Sequence, residues 1–412
     1  MAIGRTERAA GRAASFSAAG RGASLGARAP APSRRRGPAS AAAVVAALAS
    51  LGASTTALAH HGFGRFDRSK EVEFTGVITG IDFVNPHSYL RFDAAGPDGE
   101  NIAMRCEMRA ATLLRRSGWS EEMFVIGAEA TVFGFGHRDD PASCYLEDIK
   151  IGDAAGFNRN DQFETTRVDG SDRPLRLPSG EPNISGDWAQ EQYVIAVPPS
   201  GRGTLVPKSM IAAVESGEIA IEDVPSAGWG PRPVTLTERG QAEADAFRMW
   251  SPEDNPRLRC RPTSIIFDWV FDGAVNRIDQ QEDRIVIDYG LYSFRRVIHM
   301  DMDAHPAGVE PSYAGHSIGH WDGDVLVVDT IGFEPGVIAP PVRHSDQLHV
   351  VERFSLDPAT MALTRDYVAE DPVYFTDRYV GSDTVLVADV PYVAHPCEEL
   401  APEFVPEAEG RR

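Results

Sequence analysis

The chain of 412 residues carries 40 Lys and Arg against 60 Asp and Glu, a formal net charge of −20. So acidic a balance repels phosphate backbones and anionic headgroups alike, so neither nucleic acid nor an anionic membrane surface is expected as a partner. The length exceeds one ordinary domain, and the cysteines, four in number, are even, as in proteins of oxidising compartments.

The first 40 residues hold Arg5, Arg8, Arg12, Arg21, Arg28, Arg34, Arg35 and Arg36 against the single acid Glu7, among Ala, Gly, Ser and Pro. Such a stretch cannot bury a core. From Ala41 to Ala53 the chain turns apolar, and Ala57-Leu58-Ala59 then offers the small-x-small pattern that a signal peptidase cuts. The apolar run is too short to anchor the chain in a bilayer. Residues 1–59 therefore read as an export signal and leader, with the working protein starting at His60 in the periplasm or outside the cell and no membrane span left. Arg34-Arg35 just ahead of the run suits the twin-arginine route as well as the general one.

Residues 60–151 read as a small β domain. Strands are predicted at Val72–Phe83, His87–Asp93 and about 102–108, then a helix at Arg109–Ser117 stopped by Gly118, then strands at Ala128–Phe135 and Cys144–Ile151. Three strands, a helix and two strands is the order of an OB-type five-stranded barrel. There the third and fifth strands are neighbours, which places Cys106 beside Cys144 and leaves Cys260 to pair with Cys397. Residues 152–182 are polar, rich in Gly and Pro, and read as a linker.

Residues 183–400 read as a larger antiparallel β-barrel or sandwich with a short helical insertion, followed by a disordered acidic tail at 401–412. Thr235-Leu236-Thr237-Glu238 predicts a capping box opening a helix to about Trp250. Nine strands follow: Ser264–Val270, Arg284–Tyr289, Ser293–Met300, His316–Trp321, Val325–Thr330, His349–Ser355, Leu363–Val368, Asp377–Tyr379 and Thr384–Val390. Asp322-Gly323 is a hairpin signal. The fold class is thus mainly β.

The opening HHGFGRFD and the segment FTGVITGIDFVNPHSYLRF resemble a family of exported bacterial proteins of uncharacterised activity that begin HHSFxxxFD and share the Asn-Pro-His turn. The second half is similar to a domain often fused to it, through RRVIHMDMDAHP, YAGHSIGHWDGDVLVVDTIGF and HSDQLHVVERF. The resemblance implies a periplasmic protein and carries no activity with it. Gly62 stands where the family has Ser, and His299 where it has an aromatic residue.

Four constellations carry candidate chemistry. Gly315-His316-Ser317-Ile318-Gly319 matches the nucleophile elbow, but no helix follows it, so a hairpin whose glycines allow close packing is the better reading. His299, Asp301, Asp303 and His305 alternate, either as metal-capable groups on one face or as a solvated acidic turn. His316, Asp329, His344, Asp346, Glu352, Arg353 and Asp371 are spread through the large domain. They admit three readings: a structural network with Glu352 paired to Arg353 or another cation near a barrel rim, a ligand site, or a catalytic site in which His316 or His344 exchanges protons with Asp329. As a site they are expected to converge on a cavity inside the barrel lined by residues such as Trp269, Tyr289 and Tyr313. Finally, cleavage after Ala59 would free the α-amine of His60, which with His61 or His87 forms a histidine brace for copper.

No Walker loop or dinucleotide fingerprint occurs. The expected function is a periplasmic protein binding a small apolar or aromatic ligand, with a copper site at its N-terminus. The rival is a cofactor-independent isomerase, lyase or hydrolase using a His/Asp pair, and a third reading is an envelope component of mainly structural role.

Overall fold

Between residues 66 and 151 apolar side chains recur at every second position along several segments, and the chain forms strands there. β1 (Phe66–Asp82), β2 (Tyr89–Ala95), β3 (Asn101–Glu107), β4 (Glu129–His137) and β5 (Ser143–Ile151) make the small domain, with α1 (Ala111–Arg116) between β3 and β4. The structure is a computed structural model and describes residues 66–96, 99–164, 173–201, 203–249 and 251–394.

β1 pairs with β2 and β4, β2 with β3, and β4 with β5, all antiparallel, while a parallel contact between β3 and β5 closes the ring. This is the expected strand order, departing from a plain five-stranded barrel by a short sixth strand, β6 (Phe157–Asn158), laid on β5. Leu90, Phe92, Met104, Val132, Leu146 and Ile149 fill the interior. The β3–β5 register puts Cys106 opposite Cys144, and the two form a disulfide with their Cα atoms 4.4 Å apart. At the bulge between β4 and β5, Gly134 is required: a Cβ there would sit 1.9 Å from the Tyr145 carbonyl oxygen. Cys260 is also disulfide-bonded; Cys397, its expected partner, lies outside the described residues, as do residues 1–59 and 401–412.

The large domain begins with β7 (Gly186–Ala189), the hairpin β8 (Tyr193–Ala196) and β9 (Thr204–Pro207), α2 (Ile211–Ser216) and α3 (Glu238–Ala246). It continues with β10 (Val275–Gln280), β11 (Arg284–Asp288), β12 (Arg295–His299), β13 (His316–Asp322) and β14 (Val325–Ile331). β15 (Gly336–Ala339) and β16 (Val342–His344) form a side hairpin, and β17 (His349–Asp357), β18 (Ala362–Glu370) and β19 (Tyr379–Val387) complete the domain. Nine strands close a barrel in the order β10-β11-β12-β13-β14-β17-β18-β19-β7. One neighbouring pair, β12 with β13, is parallel, against the antiparallel expectation.

Two local predictions are corrected. Residues 264–270 form no strand; 265–270 are buried turns packed against the barrel interior, where Arg365 donates to the carbonyls of Ile265 (2.8 Å) and Ile266 (2.9 Å). An apolar run buried on all sides has no period to separate turn from strand. Within it Asp268 is fully buried, accepts from the Thr263 backbone N–H at 2.7 Å, and is pushed by burial up to about 7. The helix α3 is capped by Thr237, whose Oγ1 accepts from Gly240 N–H at 3.0 Å, because the Thr235 carbonyl is already bonded by Thr376 N–H at 2.9 Å.

The two barrels meet at Arg116, the last residue of α1, which is 3% exposed. Its guanidinium donates to Asp389 Oδ1 (2.7 Å), the Gly273 carbonyl (2.7 Å) and the Gln190 carbonyl (2.8 Å). Part of the segment read as a linker belongs with the small barrel, since Phe157 and Phe163 pack edge-on against Trp119 with ring centroids 5.1 and 5.8 Å away. No helix among the described residues is long and apolar enough to cross a membrane.

Candidate functional site

Strand periodicity decides which side chains face the lumen. On β14 Leu326, Val328 and Thr330 are buried and Asp329 points outward; on β13 Ser317 is buried and His316 points outward. His299 on β12 and His349 on β17 share that outer face by the same alternation. Because β12 and β13 are parallel, the chain between them must cross back along the barrel, and this connection, residues 300–315, brings His305 onto the same patch.

The five side chains interlock. His305 Nε2 lies 2.9 Å from Asp329 Oδ1, and His349 Nε2 lies 2.9 Å from Asp329 Oδ2. His305 Nδ1 lies 2.9 Å from His316 Nδ1, and the His316 ring stacks on His299 at 5.0 Å. Burial raises the Asp329 carboxyl, but hydrogen bonds from His305 and His349 outweigh it and hold the group below its ordinary value. An ionised carboxylate only accepts, so each histidine donates through Nε2. A neutral His305 then presents a lone pair at Nδ1, His316 must donate Nδ1–H to it, and His316 Nε2 is left as a free base. Burial, with the neighbouring His299 and His305, lowers the His316 imidazole below its usual pKa, so the free base dominates at neutral pH.

His344 does not join this cluster. It is 4% exposed at the end of β16 and stands 3.1 Å from the Ser345 carbonyl through Nδ1. A carbonyl only accepts, so the proton is on Nδ1 and Nε2 carries a lone pair. Burial keeps the ring neutral. Asp371 stands behind this arrangement, accepting from Ser345 N–H (2.5 Å), Ser345 Oγ (3.0 Å) and Val373 N–H (2.9 Å). Asp371 thus fixes the segment that fixes His344.

Glu352 faces the lumen and is not paired with Arg353, which bonds Asp322 outside at 3.0 Å. Its carboxylate joins Arg296 and, at 3.2 Å, Arg365; Arg365 continues to Asp383 at 2.6 Å, and Asp383 to Arg232 at 2.7 Å. Arg296 also donates to Ser317 Oγ (2.9 Å) and Thr330 Oγ1 (2.8 Å). Ser317 is therefore a wholly buried strand residue in a polar network, as the hairpin reading requires. This network, with Trp188, Trp269, Tyr289 and Phe354 around it, fills the barrel where a ligand cavity was expected. The expected convergence of His316, Asp329 and His344 inside the barrel is replaced by two groupings outside it.

His60 and His61 lie outside the described residues, and His87 Nδ1 lies 3.2 Å from Glu107 Oε1. Among the described residues no three His, Cys, Asp or Glu groups stand where they could hold a metal ion. In the outer cluster the nitrogens and oxygens bond one another instead of converging on a shared point.

Two members escaped the sequence reading in their true role. The sequence offers His305 either as a metal-capable group or as part of a solvated acidic turn, and nothing local shows that the segment folds back onto β13. His349 had a legible signal: the β14–β17 register pairs Asp329 with Val351, so His349, two residues back, is a diagonal neighbour on the same face.

A family model described as a family of unknown function (DUF6152) matches residues 47–144, which takes in most of the small barrel. No curated protein and no solved structure matches the chain.

Proposed function

We propose that the protein is exported to the periplasm and that its large barrel catalyses a proton transfer without a cofactor, as an isomerase, lyase or hydrolase in which His316 Nε2 takes the proton. The observation that carries this reading is the continuous chain Asp329 Oδ1, His305, His316, with 2.9 Å at each junction. Asp329 holds His305, and His305 in turn holds the His316 Nδ1–H, so the ring is fixed with its Nε2 lone pair turned away from the cluster and unprotonated when a substrate arrives. The groups are already placed before reaction, which lowers the reorganisation that bulk imidazole would need.

The test uses 5-nitrobenzisoxazole, which opens when a base removes its carbon-bound proton. The purified protein should accelerate the opening, and His316→Ala or Asp329→Asn should remove most of the acceleration, about a hundredfold or more for a positioned base. Equal rates for wild type and His316→Ala would end the reading. Export is tested separately by sequencing the mature N-terminus, expected at His60. A binding protein for a small molecule is the second reading, favoured by the cleft that His344 lines.

A further inference from the structure

A cleft of about 190 Å³ opens beside the β15–β16 hairpin, bordered by Arg261, Tyr313, Glu334, Gly336 and His344. It is smaller than the roughly 300–1,000 Å³ of drug-sized sites, so its occupant is a small metabolite. Prolines 252, 256, 262 and 335 frame it, which fixes the backbone around it.

Most charges at its border are already engaged. Arg343 pairs with Asp254 at 3.0 Å, and Arg259 lies 3.6 Å from Glu253. Three groups keep unused capacity. The Arg261 guanidinium is exposed and has no ion-pair partner among the described residues, and the half-buried Glu334 carboxylate is in the same position. The third is His344 Nε2, which makes no hydrogen bond among the described residues although its ring is almost wholly buried. The backbone opposite is Gly336, where a Cβ would stand 2.9 Å from Nε2. A glycine at that point leaves the lone pair uncovered.

One cation and two acceptors define the complement: an anion beside a hydrogen-bond donor of positive charge, on a molecule with no net charge. A plain carboxylate would meet Glu334 and an amine alone would meet Arg261, each at like charge. We propose that this cleft binds a small zwitterion of the amino-acid type, its carboxylate on Arg261 and its ammonium group between Glu334 and His344 Nε2. Arg261 suits a carboxylate because its planar fork can hold both oxygens. The chemistry calls for both charges on adjacent atoms, as an α-carbon supplies them, since the cleft is too small to span a chain with separated ends. This site stands apart from the His316 relay, and either can fail without the other.

The test is calorimetric titration of the mature protein with L-alanine, and separately with acetate and ethylammonium, the two halves of its charge pattern. L-Alanine should bind saturably and about tenfold or more tighter than either half. Arg261→Gln, at an exposed side chain, should weaken it by a similar factor, and Gly336→Ala, which covers Nε2, should do the same. In imidazole ¹⁵N spectra the His344 Nε2 resonance should move on adding L-alanine and stay still with acetate. Absence of saturable L-alanine binding, acetate binding as tightly, or unchanged affinity in Arg261→Gln would each overturn the assignment.

Discussion

His305 and His316 face each other through their Nδ1 atoms at 2.9 Å, from opposite sides of a chain reversal. Each feels the other when a proton arrives, and His305 together with burial and His299 keeps the His316 pKa low. Removing His305 should therefore raise it. In His305→Ala, NMR titration of the His316 ring should show its midpoint moving up towards the ordinary histidine value; an unchanged or lower midpoint would show that the pair is not coupled.

Glu352 is the shared anion between two buried guanidiniums: Arg365 also holds Asp383 at 2.6 Å, whereas Arg296 has no other carboxylate partner among the described residues. Burial lowers the Arg296 pKa, but the Glu352 charge outweighs it and leaves the group raised. Glu352→Gln should lose about 3–5 kcal/mol, the cost of leaving a buried charge uncompensated. Asp329→Asn, at a side chain 39% exposed, should lose under about 1 kcal/mol. Chemical denaturation of both variants checks the contrast, and similar losses would mean that the lumen network is not dry.

Asp268 gives the fold a pH dependence of unusual sign. Its carboxyl lies near 7 in the folded chain against about 4 in an unfolded one. Across that window the native state holds a proton that the unfolded state has released, so stability falls as pH rises, by at most about 1.4 kcal/mol per pH unit. Asp268→Asn cannot ionise and should lack this slope. The stability of wild type relative to the variant should decline from pH 4 to pH 7 and then level; a difference independent of pH would contradict the buried, protonated acid.

The Cys106–Cys144 bond spans 38 residues, a loop whose closure stabilises by about 4 kcal/mol in the chain-entropy account. The double variant Cys106→Ala, Cys144→Ala should lower the denaturation midpoint of the small barrel correspondingly. A shift under about 1 kcal/mol would mean that the β3–β5 contact already restrains the unfolded chain.

The small barrel was legible almost entire, because Leu90, Phe92 and Ala94, Met104 and Cys106, and Ala130 and Val132 alternate inward along their strands, and the loops between carry Gly and Pro. The parallel β3–β5 contact followed from strand order alone, and with it the disulfide. The large barrel was legible in β11 to β14 and β17 to β19 and not in its closure: β7, four residues long, and β10 pair with each other to seal the ring, and neither had an expected counterpart. At the site, Asp329 and His316 were visible because a carboxylate ending an apolar strand needs a partner. Their outward direction was not, since Val325, Val327 and Ile331 are apolar on the outer face too. The lumen charges Arg296, Arg365 and Asp383 were missed because a charged residue on a strand ordinarily reads as solvent-facing, and only a closed ring shows that these three alternate inward with Ile298, Leu363 and Val385.

The parallel seam between β12 and β13 has an evolutionary consequence. Parallel neighbours cannot be joined by a tight turn, so the chain leaves the ring between β12 and β13. The connection over residues 300–315 is held by few ladder hydrogen bonds, so it can lengthen, shorten or change composition while the ring stays closed. The middle member of the relay, His305, rides on that connection, whereas Asp329, His316 and His349 are written into the ladders. Homologous chains can thus acquire, retune or lose the proposed relay by editing one excursion, and the scaffold persists as a fold without it.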